Sequence, residues 1–173
     1  ANILKYFIKK KIIKVNKKEI LFISSSIGSD VIFGLNSTNS ILTSNNKIKC
    51  FYKYKKFYTL IVKPDFGCST KYAYSKVKKF DDTKLSRPSK KMFEFDFLKK
   101  MHNSLEPIML SKYPKLRIIK SYLESLSGPI FIRMTGSGSA FVVYFKSKVS
   151  CNKVKKLFNK KFKNYWCVTS KTI

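Results

Sequence analysis

The chain is poor in acids, histidine and arginine: 9 Asp and Glu stand against 37 Lys and Arg, with a formal net charge of +28, and the single histidine is His102. Its four cysteines, Cys50, Cys68, Cys151 and Cys167, form no Cys-X-X-Cys pair, so a structural zinc site finds neither the thiolate spacing nor the imidazoles it needs. A reduced, intracellular chain is expected. Arginine occurs only at Arg87, Arg117 and Arg133. Base-edge and bidentate phosphate readout favour the planar guanidinium fork, so a charge carried almost wholly by lysine argues against a specific nucleic-acid partner. The lysines are spread from end to end rather than gathered in a stripe, as solvated faces of a lysine-rich composition would be. No run approaches the ~20 apolar residues needed to span a bilayer, and the start lacks the apolar core and cleavage site of a signal peptide. No membrane partner and a cytoplasmic location are expected.

Against those absences, 44% of the 173 residues are apolar and 15% aromatic, enough for one domain with a real core, or one domain and a remnant of another. The chain opens at Ala1, not Met, and enters an apolar helical pattern at once, as a fragment does.

Apolar residues at 3, 4, 7 and 8 recur at helical spacing, and a second helix is expected over 17–23, closed by a turn at Ser24-Ser25-Ser26. Residues 37–51 read as a hairpin turning near Asn45 and Asn46, and residues 57–62 as a strand. Helices are predicted over 70–77, 95–101, 113–126 and 151–162, strands over 130–134, 140–145 and 165–170, and a charged connector over 81–91. From Phe57 onward the order is strand, helices, strand, strand, helix, strand. That is an α+β, ferredoxin-like βαββαβ unit, with helices on one face of an antiparallel sheet.

Few residues invite chemistry. Asp30 lies between a Gly-Ser pair and an apolar run, where a partly desolvated carboxylate could take a proton from a hydroxyl; it could equally cap a helix starting at Val31. The loop Thr135-Gly136-Ser137-Gly138-Ser139 could let backbone N–H groups approach an anion, or be an ordinary hairpin turn. The segment from Pro64 to Thr70 turns into a helix whose first N–H groups would meet a phosphate or a Ser69 or Thr70 cap. Tyr72 and Tyr74 on that helix are packing residues or a platform for a base.

Four segments stand in the order of one family. "IGSDVIFGL" at 27–35, "VKPDFGCSTKYAYSKV" at 62–77, "NSLEPI" at 103–108 and "RMTGSGSAFVVYF" at 133–145 resemble the corresponding segments of the GHMP kinases, most closely the diphosphocytidyl-methylerythritol branch. The resemblance implies an ATP-dependent small-molecule kinase, with Mg²⁺ accompanying ATP, that phosphorylates the 2-hydroxyl of a cytidyl substrate in the non-mevalonate isoprenoid route. It implies residues 1–55 as a remnant of the N-terminal domain and 56–173 as the C-terminal domain, with the ATP loop belonging before Ala1. Position by position, Asp30 resembles the family's general base, Thr70 its substrate-loop threonine and Tyr74 the aromatic that stacks on cytosine. Gly136, Ser137 and Gly138 match its third glycine-rich motif beside the phosphates. Ser29, Ile32 and Ser104 depart from the usual Ala, Pro and Asp.

Three alternatives stay open. Another GHMP kinase and diphosphomevalonate decarboxylase share the fold and glycine motif, against which "STKYAYSKV" argues. A basic RNA-binding module would use the same kind of sheet, but its aromatic, glycine-rich strand signature is missing and "FVVYF" is too apolar for an exposed platform.

Overall fold

Alternation of buried and half-buried residues along Phe141–Phe145 (β5), and the buried Leu60 and Val62 two apart on Tyr58–Lys63 (β3), set the plan of the larger part of the molecule, because a period of two puts one side of each strand in the core. The computed structural model describes residues 1–35, 38–43, 48–52, 56–78 and 87–172, with the backbone alone at Lys17, Ser29 and Asp30. The chain forms two compact units, one of Ala1–Tyr54, Lys84–Pro88 and Ile173, the other of Lys55–Thr83 and Ser89–Thr172.

The first unit has three short helices, α1 (Asn2–Lys9), α2 (Lys17–Ile27) and α3 (Ser29–Leu35), and a two-stranded hairpin of β1 (Asn39–Leu42) and β2 (Ile48–Phe51). The expected turn at Asn45 and Asn46 lies outside the described residues. α2 starts in a capping box: Asn16 Oδ1 accepts the N–H groups of Lys18 and Glu19, and Glu19 Oε2 accepts the Asn16 N–H at 2.7 Å. It also runs four residues past the predicted end, and the expected serine turn is helical. The hydroxyls of Ser24, Ser25 and Ser26 donate back to the carbonyls of Ile20, Phe22 and Ile23 at 2.6–2.8 Å, which lets serines continue the helix. Gly28, at φ 154°, ends it. α3 begins at Ser29, so Asp30 lies inside the first turn and is not the cap of a helix from Val31.

The second unit holds α4 (Thr70–Ser75), a 3₁₀ turn (Lys90–Phe93), α5 (Phe95–Lys100), α6 (Glu106–Lys112), α7 (Pro114–Ser125), β4 (Phe131–Met134), β5, α8 (Lys148–Lys161) and β6 (Trp166–Lys171). The sheet order is β4-β5-β3-β6, antiparallel throughout, as the ferredoxin-like reading requires. Leu60 and Val62 pair with Val143 and Phe141, which pair in turn with Ile132 and Met134, so these side chains share one face. Against them pack Leu116, Ile119 and Leu123 of α7 and Cys151, Val154 and Phe158 of α8. Of the connector expected over 81–91, residues 81–86 lie outside the described residues, and the 3₁₀ turn occupies its end. The helix expected over 113–126 starts at Pro114 and is preceded by α6, which the sequence reading left out; Pro107 and Pro114 each sit in a first turn, where a missing N–H costs nothing.

Candidate functional site

The turn from β4 to β5 is a tight hairpin. Thr135 donates to Ala140 O at 2.9 Å, and Gly138 donates to Thr135 O at 2.8 Å. Gly136 (φ 48°) and Gly138 (φ 88°) lie in the left-handed region that a side chain disfavours. A Cβ on Gly138 would also stand 2.9 Å from Met134 Sδ and 3.3 Å from Cys68 Sγ, so the side chains of Met134 and Cys68 leave it no room. Burial raises the Cys68 thiol pKa above its ordinary value, with Lys112 opposing.

That segment runs beside the loop. Ser139 Oγ donates to Phe66 O at 2.6 Å, and Thr70 Oγ1 meets Ser137 Oγ at 2.8 Å on the exposed side. Two residues nominated from separate motifs, 67 positions apart, are thus in direct contact. Ser69 caps α4 by accepting the Tyr72 N–H, so the cap reading holds there, and at six residues α4 is too short to offer a phosphate its terminus. Tyr74 stands one turn beyond Thr70 and is 56% exposed. Tyr72 turns the other way, packing against the core with Lys112 Nζ 3.4 Å from its ring centre. The two tyrosines, alike in sequence, therefore divide into one packing residue and one free ring face.

Asn103 and Glu106, in the segment 103–108, carry no expected role from the sequence and sit behind the loop. Asn103 Nδ2 donates to Met134 O and to Gly136 O, both at 2.8 Å, while its Oδ1 accepts the Leu105 N–H. Glu106, buried, accepts the Met134 N–H at 2.9 Å and pairs with Lys120. Both serve β4, an edge strand whose outward N–H and C=O lack a neighbouring strand. The only signal in the sequence was an acid kept in a chain with few.

Asp30 belongs to the first unit, at the second residue of α3. Among the described residues no three His, Cys, Asp or Glu side chains cluster as metal ligands, and no helix is long and apolar enough to cross a membrane.

No protein-family profile matches the chain. A 4-diphosphocytidyl-2-C-methyl-D-erythritol kinase of Pelagibacter ubique is 49% identical over 173 residues, covering 100% of this chain and 62% of that kinase. The chain is a homologue of these kinases. It spans about three fifths of the length of this curated relative. A crystal structure of 4-(cytidine 5'-diphospho)-2C-methyl-D-erythritol kinase superposes with a TM-score of 0.67 at 17% identity, over 90% of this chain and 57% of that one. Homoserine kinase from Cytophaga hutchinsonii gives 0.59 at 14% identity, over 79% and 49%. At such identities these two speak for the fold alone, an α+β architecture.

Proposed function

We propose that the chain is the C-terminal portion of a 4-diphosphocytidyl-2-C-methyl-D-erythritol kinase, which transfers the γ-phosphoryl group of ATP to the substrate 2-hydroxyl. The observation that carries the reading is the Thr70–Ser137 contact at 2.8 Å, with an exposed Tyr74 ring one turn away. It joins the hydroxyl pair, the glycine loop and an aromatic face in one place, as a cytidine diphosphate group would need. Residues 1–55 are then the remnant of the N-terminal domain, carrying Asp30, and 56–173 the C-terminal domain.

In this reading Tyr74 covers the cytosine ring, Thr70 and Ser137 exchange their mutual hydrogen bond for bonds to the ligand, and the glycine loop approaches its phosphates. Asp30 takes the proton of the 2-hydroxyl as that oxygen bonds to the γ-phosphorus and the bond to the β-phosphate oxygen breaks, releasing ADP. Mg²⁺ would accompany ATP; among the described residues no three His, Cys, Asp or Glu side chains gather as ligands for it. The RNA-module reading gains no support from the sheet: Phe131 and Tyr144 stack on each other at 4.3 Å, and Arg133 is turned to Leu98 O at 3.2 Å.

Titration of the chain with CDP tests the stacking role. Stacking contributes about 1–3 kcal/mol per base, so Tyr74→Ala should weaken CDP binding roughly 5- to 150-fold while Tyr74→Phe changes little. A lower melting temperature in Tyr74→Ala without a selective loss of CDP binding would contradict it.

A further inference from the structure

We propose that Asn103 is a positioning residue that turns the backbone N–H of Ser137 outward, making it a hydrogen-bond donor for a phosphate oxygen; the choice of ligand rests on the cytidyl-kinase reading. The peptide between Gly136 and Ser137 is trans, and in a planar trans peptide the C=O and the following N–H point in opposite directions. Asn103 holds Gly136 O at 2.8 Å, so the Ser137 N–H is directed away from Asn103. Among the described residues that N–H has no hydrogen-bond partner, whereas the neighbouring donors of Thr135 and Gly138 are used within the turn. Ser137 also carries the hydroxyl that meets Thr70, which puts the free amide on the residue that faces the candidate site.

Asn103 is itself fixed. Its amide hydrogens serve Met134 O and Gly136 O, and its carbonyl oxygen serves the Leu105 N–H. It therefore has little capacity left for a ligand and acts through the loop. Glu106 holds the N–H of the same Met134 whose C=O Asn103 holds, so both outward groups of that residue are fastened by the first residue of α6 and the stretch before it. A left-handed Gly136 can adopt several orientations at little cost, and this fastening selects one.

The anion could be the diphosphate of the cytidyl substrate or the triphosphate of ATP, and the experiment separates them. The 173-residue chain, ¹⁵N-labelled, is titrated with CDP and with ATP as wild type, Asn103→Asp and Asn103→Ala. Asn103→Asp keeps the oxygen that accepts the Leu105 N–H but replaces the donor with an oxygen facing two carbonyls. The Ser137 and Gly138 amide resonances should move, and affinity for whichever nucleotide the loop holds should fall about 10- to 100-fold, the effect of losing one hydrogen bond to a charged group. The melting temperature should hold in at least one variant. Unmoved Ser137 and Gly138 resonances with unchanged affinity in both variants would overturn the proposal. If wild type binds ATP and not CDP, and the variants weaken ATP, the positioning role stands and the cytidyl reading falls.

Discussion

The two units of this chain differ in how much apolar surface their described residues bury within the chain. The second buries Leu60, Val62, Phe141, Val143, Phe145, Leu116, Leu123, Val154 and Phe158 completely, on one face of a four-stranded sheet. In the first, Ser24, Ile41 and Phe51 are the buried residues among those described, while Ile3, Phe22 and Ile27 are each at least 67% exposed. Its α1 has a strongly one-sided apolar pattern of which Leu4 and Ile8 are half-buried and no residue is fully buried. The second unit therefore holds its own core, and the candidate loop, Thr70 and Tyr74 belong to that unit. The first contributes the candidate base on a helix of seven residues.

The sharpest way to break that division is at Asp30. With the chain joined to the uncovered portion of the Pelagibacter kinase, Asp30→Asn should lower the phosphoryl-transfer rate about 10²- to 10⁴-fold, the contribution of a positioned base, with CDP affinity retained. Near-normal turnover would leave Asp30 as a helix residue and remove the chemistry from the first unit.

Packing gives the next test. Phe141→Ala, in the middle of the sheet, should cost about 3–5 kcal/mol of unfolding free energy, whereas Phe22→Ala, at 75% exposure, should stay within about 0.5 kcal/mol. Equal losses in chemical denaturation would mean that the first unit buries Phe22 in solution and that the contrast is false.

The smallest effect is alkaline. Burial pushes the Cys167 thiol to about 11 against a model-compound 9.0, with Lys155 opposing and Cys151 adding; burial raises Cys68 and Cys151 as well. The fold favours the neutral thiol, so this contribution is complete below about pH 9 and is lost as pH rises toward 11. Cys167→Ala should flatten part of the fall in melting temperature over that range. A slope identical to wild type would remove Cys167 as a cause.

How much of this was legible in the sequence follows from the range of each interaction. β3, β5 and the α7 stripe of Leu116, Ile119 and Leu123 announce themselves through local periodicity, and the sheet order followed from counting elements. α2 was read short because serine favours turns; only the back-bonding to Ile20, Phe22 and Ile23 shows why it continues. α6 was missed although Pro107 marked its first turn. Thr70, Tyr74 and the glycine loop were nominated by motif, and the contact of Thr70 with Ser137 emerged only when the chain folded. Asn103 and Glu106 could not have been assigned, because their partners Gly136 and Met134 lie 33 and 28 positions away, and nothing local encodes those distances.

The central claim, that the second unit carries the ligand-facing site at Thr70, Tyr74 and the glycine loop, is tested most directly by mapping CDP onto the ¹⁵N-labelled chain. The account predicts saturable shifts at Thr70, Tyr74, Gly136, Ser137 and Gly138, persisting at physiological salt. Shifts scattered over the lysine-rich face of α8 and abolished by that salt would show charge attraction alone and contradict it.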